Sequence, residues 1–297
     1  MNAREEDWKE LNLQGLIPGP EETEEEFIQR AEFCRNLLRE LRERVNHELP
    51  FDLEDTASKN ITQDAFHFSE KLFGIAPVWV PIFFNNYRLS KWHGGCAWIF
   101  QLEEQTPTSA FLQLRKNFKN KSWYMGIYNR KELIAHELAH VGRMVYQEPD
   151  FEEILAYRSS DSKFRRFFGP LIQSSKESLF FIILLGLVFL TDLALLSVHT
   201  PLATTIAWWL LILPFFFVIL ALLRLFKRQF QFNRCLKNLR KVYLKSRMAK
   251  HLIYRLTDKE ICLFGKMKPT EISAYIQSHS LLFFRWAFLT KNYPPPI

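Results

Sequence analysis

The residues whose types and spacing could do chemistry lie at His136-Glu137-Leu138-Ala139-His140. On a helix, positions four apart share a face, one turn above the other. Both imidazoles can then reach one metal ion, and Glu137 can reach a water held by it. A bound metal lowers the pKa of its water and a nearby carboxylate takes the proton, which makes a nucleophile at neutral pH. The competing reading is two ordinary helix-face histidines and a surface glutamate. Local signals favour a helix here. Asn129 is a candidate N-cap, Glu132 would complete a capping box, and the helix is expected to run to about Val145.

A zinc site usually takes three protein ligands and leaves a fourth position open. Pro149 and Asp150 mark the start of a further helix that offers Glu152 and Glu153. If the two helices pair across a turn at about 146–149, His140 and Glu153 stand at nearly equal heights, at about 1.5 Å per residue. Glu152 points about 100° away, one helical step. Glu153 is therefore the preferred third ligand. Its structural alternative is a capping box with Asp150. The small Ala156 permits close helix approach, and Tyr157 would stand near the level of His136. Asp161 could orient a ligand imidazole, against a simpler role as a solvated residue.

The elements that must position these groups are legible in part. The chain has 297 residues, 48% of them hydrophobic, with 28 Phe. That suits two modest domains, or one domain plus membrane segments. Residues 1–20 are expected as a flexible arm. A helix is expected from Glu21 to about Asn46 and another near 62–73, with Thr62 as N-cap and Gly74 as stop. Short β-branched and aromatic runs at 78–84, 95–101 and 109–115 predict a small, mostly antiparallel sheet within 78–127. The four cysteines form no C-x-x-C pair and imply a reducing compartment. The acidic N-terminus has no apolar h-region, so no cleavable signal is expected.

Residues 179–198 and 206–223 are apolar all round and of bilayer-spanning length, about 20 residues each. The alternative is a pair of buried soluble helices. Asp192 interrupts the first span, and Pro214 is a candidate kink in the second. The link at 199–205 has no Lys or Arg. Lys163, Arg165, Arg166 and Lys176 precede the first span, and Arg224, Lys227, Arg228 and Arg234 follow the second. By the positive-inside rule both termini and the histidine box are expected on the cytoplasmic side. The same placement explains the net charge of +7, so no nucleic-acid partner is expected. The segment Lys163–Phe168 mixes basic and aromatic residues, as a membrane surface favours. After the spans, a basic helical tail carries a capping box at Thr257–Glu260, a stop at Gly265 and a helix opened by Pro269.

The box followed by Glu153-Ile154-Leu155-Ala156 resembles the gluzincin zinc metallopeptidases, over about 78–160. The resemblance implies an α+β fold with a zincin-like domain at 21–175, here followed by a transmembrane hairpin at 176–226 and a cytoplasmic tail at 227–297. It implies Zn2+ held by His136, His140 and Glu153, with Glu137 as general base. It also implies a sheet strand at the cleft edge where a peptide adds as a further strand, with Gly95–Gln101 and Ser109–Arg115 as candidates. Tyr157 is a geometric candidate for the transition-state hydrogen-bond donor, against a structural aromatic; His93 is a weaker one. The expected activity is hydrolysis of peptide or protein substrates, membrane-associated ones included. The proton taken by Glu137 would pass to the leaving amine. The rival is a non-catalytic membrane scaffold with a zincin-like fold. A membrane oxygenase would need several histidine clusters, and the sequence has one.

Overall fold

The computed structural model describes residues 3–44, 53, 56–195, 201–243 and 245–295. The chain opens with α1 (Ala3–Leu13), α2 (Glu24–Arg35), α3 (Leu37–Arg44) and α4 (Lys59–Phe73). Strands β1 (Ile82–Phe84), β2 (Gly95–Phe100), β3 (Ser109–Leu114), β4 (Trp123–Tyr124) and β5 (Tyr128–Asn129) follow. Then come α5 (Arg130–Val141), α6 (Glu152–Ala156), α7 (Lys163–Phe168), α8 (Ser175–Leu195) and α9 (Pro201–Val242). The chain finishes with α10 (Ser246–Ile253), α11 (Asp258–Phe264), α12 (Pro269–Leu282) and α13 (Phe284–Asn292). Among the described residues the result is a mixed, helix-rich fold with two small sheets and two long apolar helices.

The larger sheet has the order β1-β3-β2. β2 pairs antiparallel with β3, from Gly95 opposite Leu114 to Phe100 opposite Ser109, whereas β1 pairs parallel with β3. The sheet is thus mixed, with β1 and β2 on opposite edges of the central β3. β3 is buried along its whole length. β2 is left as an edge strand, and α5 packs between it and α4. Two glycines permit close approach here, Gly94 to α5 and Gly95 to β3. A Cβ on Gly94 would meet Leu133 of α5 at 2.9 Å, and one on Gly95 would meet the Gln113 carbonyl at 2.6 Å.

Residues 3–20, the described part of the expected flexible arm, are ordered. α1 and the segment after it bury Leu11, Leu16 and Ile17 in the main core. The same core takes in Leu133 and Leu138 of α5, Phe232 from the later half of α9, and Tyr254, Trp286 and Phe288 from beyond it. The C-terminal region is therefore not a detached tail. The amphipathic spacing that marks it as helical says only that one face needs covering; the sheet-bearing half provides the cover. Other boundaries move slightly. The 21–46 helix breaks at Asn36, after a start capped by Thr23 with Glu26. Ser58 rather than Thr62 occupies the N-cap position of α4, and the helix stops before Gly74, whose φ of 72° suits a glycine stop. The Thr257–Glu260 capping box and the Pro269 start are both present.

α8 has 21 residues and α9 has 42, about 31 and 63 Å at 1.5 Å per residue. Both are long and apolar enough to cross a membrane. They pack side by side through Phe181 and Phe217, whose rings stack at 5.5 Å. α9 continues through Pro214, and its polar half past residue 224 enters the core through Leu225, Phe232, Cys235 and Leu239. Asp192 is exposed on α8. Residues 196–200, which include part of the expected 199–205 link, lie outside the described residues; 201–205 are already helical.

Candidate metal centre

α5 is started by Asn129, whose side-chain oxygen accepts from the Lys131 and Glu132 backbone N–H groups. The expected capping box is absent: Glu132 instead accepts from Arg165 at 2.6 Å. The helix stops at Val141, short of Val145, because its last turn tightens. The Arg143 N–H bonds to the His140 carbonyl and the Met144 N–H to that of Val141. This leaves the buried Ala139 carbonyl without a helical donor, and the Tyr254 hydroxyl donates to it at 2.7 Å. Gly142 makes room, since a Cβ there would meet that hydroxyl at 2.3 Å. Arg143 then donates to the Tyr254 and Leu256 carbonyls, both at 2.8 Å.

The connection to α6 is pinned from two sides. The Asp150 N–H donates to Asp258 at 2.7 Å, and the Asp150 carboxylate accepts from Arg228 of α9. Phe151 is buried beneath it. α6 is only five residues long and has no side-chain cap. The capping alternative for Glu153 is therefore not realised, and its carboxylate faces α5 instead.

His136, His140 and Glu153 converge, with one ligand atom from each lying within 4.8 Å of the others. The two Nε2 atoms are 3.3 Å apart, and Glu153 oxygens lie 3.8 Å from His136 Nε2 and 3.6 Å from His140 Nε2. Ligand bonds of about 2.0–2.1 Å in a tetrahedron put ligand atoms about 3.3–3.4 Å apart. The donor set thus has the size and chemistry to hold a small divalent metal ion. Both rings are oriented from behind, as ligand imidazoles usually are. His140 Nδ1 is 2.8 Å from Glu152 Oε1, and His136 bonds to the Ala156 backbone.

Glu137 lies beside this triad and is buried. Its Oε2 accepts from the Ala97 N–H of β2 at 2.8 Å. That bond fixes which way β2 faces. The Ala97 N–H points away from β3, so by antiparallel alternation the N–H and C=O groups of Gly95 and Ile99 do too. The edge beside the triad is a peptide-length row of backbone donors and acceptors. A cavity of about 180 Å³ lies at one end, lined by His93, Gly95, Tyr128, His136, Glu137 and Tyr157. Another of about 470 Å³ lies at the other, lined by Ile99, Gln101, Arg143, Gln147 and Glu152.

Electrostatics set the triad apart from its surroundings. Burial, with the neighbouring His140, pushes His136 down to about 3, so its lone pair is available to a metal. Burial also acts to lower His140, but the Glu152 hydrogen bond and the charges of Glu153, Glu152 and Glu137 outweigh it and hold the ring up at about 9. Burial raises Glu137 and Glu153 above the usual carboxylate range, whereas the His140 hydrogen bond brings Glu152 below it despite burial. Burial and Glu153 raise Tyr157 to about 12, which keeps its hydroxyl a neutral donor. The Tyr157 ring meets that of His136 edge-on at 4.8 Å. Its opposite face is closed by Gly169, where a Cβ would strike the ring at 2.3 Å.

His136, Glu137, His140, Glu153 and Tyr157 are thus brought together. Asp161 is exposed and takes no part; Glu152, not Asp161, orients the His140 imidazole. His93 lines the cavity and pairs with Ser90 at 3.1 Å. The role of Glu152 was detectable in its helix position, because adjacent residues on a short helix diverge enough to approach one imidazole from two directions. The Ala97 N–H carries no side-chain signal at all. Comparison with known protein families, with characterised proteins and with solved structures returns no match, so the geometry stands alone.

Proposed function

We propose that the chain is a membrane-anchored zinc metallopeptidase of gluzincin type, with α8 and α9 as its spans and the metal centre on the cytoplasmic side. The observation that carries the reading is the convergence of His136, His140 and Glu153 beside Glu137, which is itself tied to the free edge of β2. Zinc in this site would supply Lewis-acid polarisation of the scissile carbonyl and a water of lowered pKa.

The chain's own residues supply the rest. A substrate peptide adds antiparallel to β2, bonding to the outward groups of Gly95 and Ile99 and to the Ala97 carbonyl, while the Ala97 N–H is kept by Glu137. This sets its scissile carbonyl beside the triad, with side chains entering the two flanking cavities. Glu137, steered by the Ala97 N–H, takes a proton from the attacking water. The water oxygen bonds to the carbonyl carbon, the C–N bond breaks, and the proton passes from Glu137 to the leaving amine. Tyr157, a neutral hydroxyl near His136, is placed to donate to the developing oxyanion. Glu152 holds His140 in the tautomer whose Nε2 is free.

The placement of basic residues on both sides of the spans, with none in the link, supports the cytoplasmic orientation. The test is peptide cleavage by the purified, zinc-loaded chain against Glu137→Gln. The variant should retain zinc and lose cleavage by about 10²–10⁴-fold. Equal cleavage by both would remove Glu137 from the mechanism, and no cleavage by either would favour a scaffold.

A further inference from the structure

β4 and β5 are joined by the turn Tyr124-Met125-Gly126-Ile127, closed by the Ile127 N–H donating to the Tyr124 carbonyl at 3.1 Å. Met125 and Gly126 both have positive φ, 54° and 69°. A turn with two such residues favours Asn or Asp followed by Gly. Methionine gains nothing from the left-handed region, which is sparsely populated for residues other than Gly, Asn and Asp. It is also exposed. Trp123, Met125 and Ile127 are 52%, 49% and 52% exposed. Three alternating apolar side chains at the tip of a turn that suits polar residues form a patch that calls for an apolar environment.

The surroundings identify that environment. The Ile127 carbonyl accepts from Arg165 of α7 at 2.9 Å. On the same helix Phe164 is 69% exposed, and its ring meets that of Phe168 at 4.8 Å. Phe167 in turn meets Phe226 of α9 at 5.3 Å, where the apolar stretch of that helix ends. The tip, α7 and the base of the two apolar helices are therefore one continuous surface. Exposed Lys121 and Lys163 flank its aromatic groups. Aromatic and aliphatic side chains ringed by lysine and arginine suit the interface of an anionic bilayer. A soluble protein partner would not explain why the patch is continuous with the helical anchor.

We propose that the β4–β5 tip and α7 form a second bilayer contact, with Trp123, Met125, Ile127 and Phe164 seated in the headgroup region of an anionic lipid bilayer. This rests on the reading of α8 and α9 as spans. It adds an orientation. Arg165 ties the tip to Glu132 at 2.6 Å, and Tyr128, Glu132 and Arg165 line the cavity that contains His136 and Glu137. The contact places the mouth of that cavity at the lipid surface, so its substrates are chain segments emerging from the bilayer rather than freely diffusing proteins.

The test uses the full chain in vesicles of phosphatidylcholine and phosphatidylserine that carry lipids with a fluorescence quencher at a shallow acyl position. A polarity-sensitive fluorophore is placed at Met125→Cys and, separately, at Ile127→Cys. Phe189→Cys on α8 reports the span, and Val78→Cys, exposed and outside the proposed patch, reports the remaining protein surface. The unsubstituted chain, labelled in the same way, gives the background from the native cysteines. Quenching at positions 125, 127 and 189 but not at 78 is expected, with the tip about 5–10 Å into the interface. Quenching at 189 with none at 125 or 127 would overturn the tip contact and leave the spans standing. No quenching at 189 would overturn both. Equal quenching at 78 would mean non-specific adsorption and would also overturn the proposal.

Discussion

The two sides of α5 follow different rules. On the front, two imidazoles and the carboxylates of Glu137, Glu152 and Glu153 crowd into a half-buried space, and their proton affinities are displaced in opposite directions. On the back, the Tyr254 hydroxyl completes the Ala139 carbonyl and Arg143 holds two carbonyls of the C-terminal segment. Asp258 and Glu148 stand 3.6 and 3.8 Å from the same guanidinium. Like charges brought together on one face of a helix tend to push it out of place. The back face resists that, because its hydrogen bonds fix the register and depth of the helix that carries His136 and His140. A precise site needs this kind of support behind it.

Variants on the two faces should therefore separate function from stability. The largest effect falls on the front. His136→Ala and His140→Ala should each abolish metal binding, read by metal analysis of purified protein, while far-ultraviolet circular dichroism stays that of wild type. Next comes the pair of glutamates. Glu153→Ala should weaken metal binding far more than Glu152→Ala, measured by competition with a chromophoric chelator. Glu152→Gln should cost about 10–100-fold in affinity, as loss of a partner behind a ligand imidazole does. A larger loss from the Glu152 variants would reassign the third ligand.

On the back, Gly142→Ala should lower unfolding stability by about 1–3 kcal/mol, because its methyl meets a buried hydroxyl with little room to move. Metal stoichiometry should stay unchanged. Tyr254→Phe should cost about 1–3 kcal/mol by leaving the Ala139 carbonyl unpaired. Chemical denaturation in detergent would measure both. If either variant lost metal while keeping its stability, the two faces would not be separable in this way.

A further effect is a pH dependence behind the site. Burial and the nearby Arg255 lower His251 to about 4. The unfolded chain, with an ordinary histidine near pH 6.5, then binds a proton that the folded chain refuses. Stability from this residue is present above about pH 6.5 and is lost as pH falls toward 4. His251→Gln should flatten that part of the stability profile. A profile that keeps the same slope would assign it to other groups.

The contrast between the faces also marks what the sequence could disclose. The front was readable because its signals are local. His136 and His140 share a helix face by their spacing, and Glu153 follows on the next helix, across a single connection. The apolar helices are readable for the same reason, since composition over a single segment defines them. The back face rests on pairs such as Tyr254 with Ala139 and Arg143 with Leu256, more than a hundred residues apart. No periodicity within one segment encodes such a pairing, and so the C-terminal helices read as a tail and residues 1–20 as an arm. The parallel pairing of β1 with β3 is hidden for the same reason. The edge position of β2 follows from that strand order, and with it the contact between Ala97 and Glu137.

The central claim is that His136, His140 and Glu153 hold a metal that Glu137 works beside. The most direct measurement is the metal content of the purified full chain by elemental mass spectrometry, alongside that of His140→Ala. The account predicts about one zinc per wild-type chain, as three protein ligands with one open position would bind, and none in the variant. A well-folded wild-type chain that stays metal-free when equilibrated with zinc would contradict it.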